Sequence, residues 1–306
     1  MKHFLICAVV FICFACNEAQ SVSPDNFDNL LSIDVTTDSS CSGCSFKYFW
    51  MDSSAYHFES SICSRFSTPE GFSRLKNESG SFGEWLRCLP LFPPGKQVEL
   101  FNGELKGNQG AQAAVINIDV GNTDLQQCAD AVMRLRAEYL FASKQYEKIA
   151  FNYTSGDRLD YSGWVKGKRI AVNGNRTSVV YSGKKYSDIA EHKTFRIYMN
   201  DIFNYAGTLS LSREMKKIPL DSMQPGDVFI HGGTPGHAVL IVDMMKEISS
   251  GEKYFMIAQS YMPAQQVHVL KNDSDKKMSP WYKAGAGELL YSTEYVFNWG
   301  ELMRFR

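Results

Sequence analysis

Apolar residues follow two main patterns along this chain: helical spacing in segments of the first two thirds, and successive short apolar runs in the last third. The strongest helical period lies in TDLQQCADAVMRLRAEYLF, residues 123–141. Thr123 and Gln126 read as a capping box, and Leu125, Cys128, Ala129, Val132, Leu135, Tyr139 and Leu140 share one face, which predicts a helix with Cys128 in its second turn. A second helix is predicted from about Thr194 to Tyr205 on Phe195, Met199, Ile202, Phe203 and Ala206, with Gly207 at its end. Trp85, Leu86, Leu89 and Leu91 form a short amphipathic piece closed by Pro90, Pro93 and Pro94.

Strands are predicted at 98–100, ahead of an Asn102-Gly103 turn, at 111–120, and around 151–161 with a break at Gly156. Residues 166–187 set six Lys and Arg among Gly, Asn and Ser and read as a solvated hairpin. Four apolar runs follow at 228–230, 238–242, 254–258 and 266–270, and their spacing predicts successive antiparallel strands. Helices first and strands later predict an α+β fold with helices packed on one face of an antiparallel sheet.

The ends of the chain add a location. Lys2 and His3 precede an apolar run from Phe4 to Ala15, too short to cross a bilayer and suited to a signal peptide at 1–15. The run stops at Cys16, where a bacterial lipoprotein signal would place its lipidated residue, although cleavage near Ala19 is an open alternative. Residues 16–65 then read as a lipid-anchored flexible tether and 66–306 as a single domain. The expected address is the cell envelope, with the membrane as partner through the anchor. A composition of 44% apolar residues with net charge −1 gives no bias toward nucleic acid, and none is expected as a partner.

Without Cys7, Cys13 and Cys16, five cysteines remain: Cys41, Cys44, Cys63, Cys88 and Cys128. In an oxidising compartment four can pair in three ways, leaving one thiol. The C-x-x-C of Cys41 and Cys44 lacks the second ligand pair that zinc needs and reads as a local disulfide or two idle thiols. No P-loop, H-E-x-x-H or G-x-S-x-G occurs, so no metal and no cofactor is expected.

The candidate chemistry centres on His237, at the mouth of the run AVLIVD. An imidazole there can act as general base toward a thiol, and a cysteine near a helix start, Cys128, supplies the nucleophile. A third polar group should hold the ring from the following strand, and Gln259 is placed for it. Backbone N–H groups near the helix start, with Gln126 or Gln127, are candidates to stabilise an oxyanion. Trp164, Tyr261 and Trp281, with Gln127, are the candidate substrate contacts, the aromatics as a stacking platform for sugar or peptide. Asp157 and Asp160, three residues apart in a turn, read as solvated carboxylates rather than an acid/base pair.

Gln-Pro-Gly-Asp-Val-Phe-Ile at 224–230, followed by Gly236-His237 and AVLIVD, resembles the second half of NlpC-type peptidases and amidases, a papain-fold group. Over 224–262 the resemblance implies a papain-like fold with His237 as base, Gln259 as its orienting group and Cys128 as nucleophile. CADAVMRL is also similar to the cysteine-bearing helix of transglutaminase-like proteins, and Cys128 lacks the Asp-Cys-Ser-Gly setting usual in the NlpC group. From Ser81 onward the chain, with its segments GEWLRCLPL, DLQQCADAVMRL, YAGTLSL, PGHAVLIVDM and AQSYMPAQ, resembles an uncharacterised family of exported bacterial lipoproteins. That family implies a single domain and an envelope address and no reaction; the papain-fold resemblance implies a cysteine hydrolase cleaving an amide bond, and with the envelope address a cell-wall peptide as substrate. The alternative is a non-catalytic protein that binds cell wall or glycan on the same fold.

Overall fold

The computed structural model describes residue 44 and residues 46–306. The expected signal peptide and the lipidation site Cys16 lie outside the described residues. Six α-helices occur among them, besides short 3-10 turns: α1 (Ile62–Arg65), α2 (Phe82–Arg87), α3 (Cys128–Ala142), α4 (Tyr161–Val165), α5 (His192–Phe203) and α6 (Thr208–Glu214). The strands are β1 (Phe72–Arg74), β2 (Gln112–Val115), β3 (Ala150–Asn152), β4 (Arg158–Asp160), β5 (Lys168–Asn173), β6 (Arg176–Tyr181), β7 (Lys216–Lys217), β8 (Val228–His231), β9 (His237–Glu247), β10 (Lys253–Gln259), β11 (His268–Leu270), β12 (Tyr282–Lys283), β13 (Leu289–Tyr291), β14 (Val296–Asn298) and β15 (Leu302–Arg304).

A mixed α/β body results, built on a large antiparallel sheet ordered β2-β11-β10-β9-β8-β15-β7, with β1 on β9 and β12 on β10. The four apolar runs of the last third are β8 to β11, neighbours in that sheet as their spacing predicts. On β9 the alternation is plain: Ala238, Leu240 and Val242 join a core shared with the helices, while Val239 and Ile241 join a second core. A bulge opposite Met256 and Ile257 then inverts the parity, so Met244 belongs to the second core and Met245 to the first.

Helices are expected on one face of the sheet. The second face is in fact covered by Leu290 and Phe297 of the β13–β14 hairpin, by Tyr282 and by Trp299. That cover explains why the run after His237 is apolar at every position: a strand buried on both faces has no polar side.

The helical layer is also more buried than a surface helix. Along α3 every residue from Ala129 to Phe141 except Arg136 is buried, and its internal charge is met within the layer. Arg134 Nε lies 2.6 Å from Glu138 Oε1 and its Nη1 2.9 Å from Gln126 Oε1. On the α2 side, Arg87 Nε donates to Asp243 at 2.7 Å and Arg74 Nε lies 3.2 Å from the same carboxylate, so one buried acid ties α2 and β1 to β9.

Residues 46–65, expected in the tether, belong to the packed body. Tyr48 and Ile62 are buried, the Tyr48 hydroxyl donates to the Trp85 carbonyl at 3.0 Å, and Trp50 Nε1 donates to the Asn117 carbonyl at 2.7 Å. Three aromatic rings of this segment, Tyr48, Trp50 and Tyr56, pack together and onto Trp85 of α2, supplying area that a periodicity reading does not show. Cys44 bonds to Cys88, with Cα atoms 5.8 Å apart, rather than to its C-x-x-C neighbour, and Cys63 is also disulfide-bonded. Residues 166–187 do form an exposed hairpin, β5–β6, and Gly156 turns β3 into β4 at φ +97°. Residues 98–100 form no strand: Glu99 makes an isolated bridge to Leu105 across the Gly103 turn, and Leu100 one to Gln265. Gly207 precedes a further helix, α6, which its sequence did not announce.

Candidate functional site

The helix predicted from Thr123 begins five residues later, and this relocates the thiol. Gln127 is the N-cap of α3, its backbone N–H donating to Asp130 at 3.1 Å, and Cys128 is the first helical residue. A second-turn position would carry little of the helix field, whereas the first turn carries most of it. The segment before α3 is anchored by the β10–β11 loop: Asp124 Oδ1 accepts from the Ala264 N–H at 2.7 Å, and Ser260 Oγ donates to the Gln126 carbonyl at 3.0 Å. These bonds hold the helix start against the ends of β9 and β10.

Cys128 is the free cysteine among the described residues. The backbone N–H groups of Cys128, Ala129 and Ala238 bear on its sulfur, so the thiol sits beside the residue that follows His237. Burial, then the Asp130 carboxyl, push the thiol up to about 11 against that help. His237 opens β9 and is 1% exposed. Its Nε2 lies 2.7 Å from Gln259 Oε1 at the end of β10, and its ring is flanked by Tyr261 at 4.7 Å and Tyr295 at 5.0 Å. Burial pulls the imidazole down to about 4, so the ring is neutral near neutral pH.

Behind Gln259 stands a further polar group. Gln259 Nε2 lies 2.6 Å from Glu294 Oε2, and Glu294 in turn meets Lys106 Nζ at 2.5 Å and Asn108 Nδ2 at 3.1 Å. Lys106 Nζ is 3.3 Å from Nε2 of the fully buried His268, whose Nδ1 is 2.9 Å from the Gln266 carbonyl. Burial opposes ionisation of Glu294, and its partners His268 and Lys106 overcome it and hold the carboxyl at about 2. Glu294, Lys106 and His268 come from three segments with no shared motif, which is why sequence reasoning missed them.

Cys128, His237, Gln127 and Tyr261 line one cleft of about 500 Å³ with Thr208, Gly236 and Tyr295. Two further clefts, of about 410 and 590 Å³, lie along Arg136 and Phe305 and are lined by neither cysteine nor histidine. Of the expected site residues, Trp164 and Trp281 are elsewhere. Trp164 is buried against Tyr186, ring centroids 4.8 Å apart, with Nε1 donating to Asp201, and Trp281 is a core residue facing Arg74. Each large ring met the core's demand for area before any ligand could use it. Gln126 is likewise occupied by Arg134, leaving Gln127 at the cleft. Asp157 accepts from Ser155 and Thr177, and Asp160 caps α4 and pairs with Lys168, as structural carboxylates do.

The model of a family described as domain of unknown function 4846 (DUF4846) matches residues 62–304. The chain belongs to that family. The match begins at α1 and ends in β15, so the DUF4846 domain takes in the whole sheet and every residue of the cleft. No curated protein and no solved structure matches the chain. Among the described residues no helix is long and apolar enough to cross a membrane, and no group of three or more His, Cys, Asp or Glu could hold a metal ion.

Proposed function

We propose that this DUF4846 protein is an exported cysteine hydrolase that cleaves an amide bond, with a cell-wall peptide as substrate class. One observation carries the reading: a free thiol on the first residue of a buried helix and an imidazole whose Nε2 is held by an amide oxygen share one cleft. A papain-like architecture in the NlpC manner is the finer reading of the fold. It is supported by the order of parts, nucleophile at a helix start, base opening one strand, orienting amide closing the next.

In the reaction the Cys128 sulfur bonds to the substrate carbonyl carbon while its proton passes to His237 Nδ1. The C–N bond breaks as that proton goes to the leaving amine, giving a thioester. Water then attacks the same carbon, His237 takes its proton, and the C–S bond breaks to return the thiol. A thiol held at about 11 and an imidazole held at about 4 in the same cleft are both neutral at rest, so in this reading proton transfer accompanies carbon–sulfur bonding rather than preceding it. In this reading the N–H groups at the start of α3, which bear on the sulfur at rest, turn to the oxyanion as the carbonyl is attacked. Export and lipid attachment at Cys16 belong to the same proposal, supported by the Cys44–Cys88 disulfide, a bond that persists in oxidising compartments.

A second reading, a non-catalytic receptor for cell-wall or glycan fragments, is favoured by the raised thiol and by the two tyrosines flanking His237. Incubation with purified stem peptides, followed by amine release, separates the two. The hydrolase reading expects release by the full chain, loss in Cys128→Ala and loss in His237→Ala. Binding of the peptides without release by the native protein overturns it.

A further inference from the structure

We propose that Glu294, braced by Lys106, is a positioning residue that sets the tautomer of His237 through the Gln259 amide. The inference rests on the reading of His237 as general base. A carboxylate has no proton to donate, so the Gln259 atom 2.6 Å from Glu294 Oε2 is the amide nitrogen, which donates. The other end of the amide is then oxygen, and it is this oxygen that stands 2.7 Å from His237 Nε2. Oxygen only accepts there, so Nε2 carries the ring proton. A neutral imidazole with Nε2 protonated has its lone pair on Nδ1, the form a base requires. With the amide reversed, its NH₂ would face the ring, Nε2 would have to accept, and Nδ1 would hold the proton and be unable to take another.

Glu294 must stay ionised and fixed for this to work, and its surroundings provide for both. The Lys106 and Glu294 side chains are 7% and 12% exposed, and Lys106 Nζ meets Glu294 Oε2. Asn108 Nδ2 donates to Oε1, the other oxygen. His268 closes the group, with Nε2 3.3 Å from Lys106 Nζ and 3.8 Å from Glu294 Oε2 and with Nδ1 2.9 Å from the Gln266 carbonyl. Lys106 and Glu294 lie 188 residues apart, so the fold must close before the amide is oriented.

The test is long-range nitrogen–proton correlation NMR on the nitrogen-15-labelled full chain, with His237 assigned by its loss in His237→Gln. The native protein is expected to show a pyrrole-like Nε2 and a pyridine-like Nδ1 at His237. In Glu294→Gln the new amide can donate as well as accept, so a mixture of His237 tautomers is expected, with kcat/KM on stem peptide falling on the order of tenfold or more. A native Nδ1–H tautomer, or a single Nε2–H form unchanged by Glu294→Gln, overturns the proposal. Should Glu294→Gln fail to fold, Lys106→Gln with Glu294→Gln removes the buried charges together and is read the same way. The tautomer is measured without turnover: expected tautomers with no peptide cleavage defeat only the hydrolase reading, and cleavage with a tautomer indifferent to residue 294 defeats only this one.

Discussion

Gln259 Oε1 stands 2.7 Å from His237 Nε2, and neither residue is more than 1% exposed. The bond therefore lies in the dry end of the cleft, where a lost partner is not replaced by water. Its two strands, β9 and β10, are the longest neighbours in the sheet, which makes the separation of the two side chains a property of the sheet.

Removing the amide should therefore be felt in stability as well as chemistry. Gln259→Leu keeps the apolar volume and strands the His237 N–H, and an unsatisfied buried donor costs about 1–3 kcal/mol. Urea unfolding is expected to show this loss. The double variant with His237→Phe should lose less than the sum of the singles, because the pair is removed whole. Additive losses would mean that the two side chains do not act on each other.

His237 also links stability to pH. Its folded pKa of about 4 lies below the ordinary value near 6.5, so the unfolded chain binds the proton more readily. The contribution is complete above about 6.5 and is lost as pH falls toward 4, amounting to about 3 kcal/mol over that window. Buried, neutral His268 acts with the same sign. Unfolding free energy measured from pH 7 to 4 should fall less steeply in His237→Phe than in the native chain. Parallel slopes would remove the linkage.

Thiol reactivity gives the sharpest reading of the electrostatics. With Cys128 pushed up to about 11, its alkylation by iodoacetamide should rise about tenfold per pH unit from 7 to 10. A preformed thiolate–imidazolium pair would instead react at a rate nearly independent of pH across that range. Asp130→Asn removes the carboxyl that raises the thiol and should move the profile to lower pH. A flat profile in the native protein would show that the resting pair is ionic.

Much of this frame was legible in the chain, and the gaps have physical causes. The runs that became β8 to β10 could be read because unbroken apolar strands between glycine turns have few other uses, and β11 could be read from Val267, Val269 and Leu270 beyond the turn at Pro263. His237 and Gln259 followed from them, since strand ends fix where the side chains at those ends can meet. The start of α3 was misplaced because Thr123 and Gln126 imitate a cap, while the working cap pairs Gln127 with Asp130. Trp164 and Trp281 went to the core because a sequence shows ring area but not which surface takes it. Glu294 and Lys106 carry no local pattern at all, being brought together only by closure of the sheet and the β13–β14 hairpin.

The Cys44–Cys88 bond closes a 44-residue separation and attaches the N-terminal aromatic segment to the end of α2. Loop-closure entropy for that length corresponds to about 4 kcal/mol. Replacing both with Ala should cost on the order of 3–4 kcal/mol in urea unfolding and leave Cys128 alkylation unchanged, since the bridge is not in the cleft. A loss below about 1 kcal/mol would mean that the aromatic contacts of Tyr48 and Trp50 hold the segment unaided.

Gly236 carries the most exact steric demand in the cleft. A Cβ on it would lie 2.3 Å from Thr208 Oγ1, 2.4 Å from the Gly233 carbonyl oxygen and 2.9 Å from that of His231. Thr208 could turn away, but two backbone oxygens cannot, so the turn that launches His237 must move. Gly236→Ala is therefore expected to lose about 1–3 kcal/mol of stability through overpacking. It should also lose the effect of His237 on Cys128: adding His237→Ala to it should change the thiol's alkylation rate far less than it does in the native background. Thr208→Ala should restore little, because the carbonyl contacts persist. Gly107→Ala, whose Cβ would enter open space, is the control and should change neither quantity. A fully stable Gly236→Ala protein with native dependence on His237 would show that the turn has room to yield, and that the register of His237 is set by the strand alone.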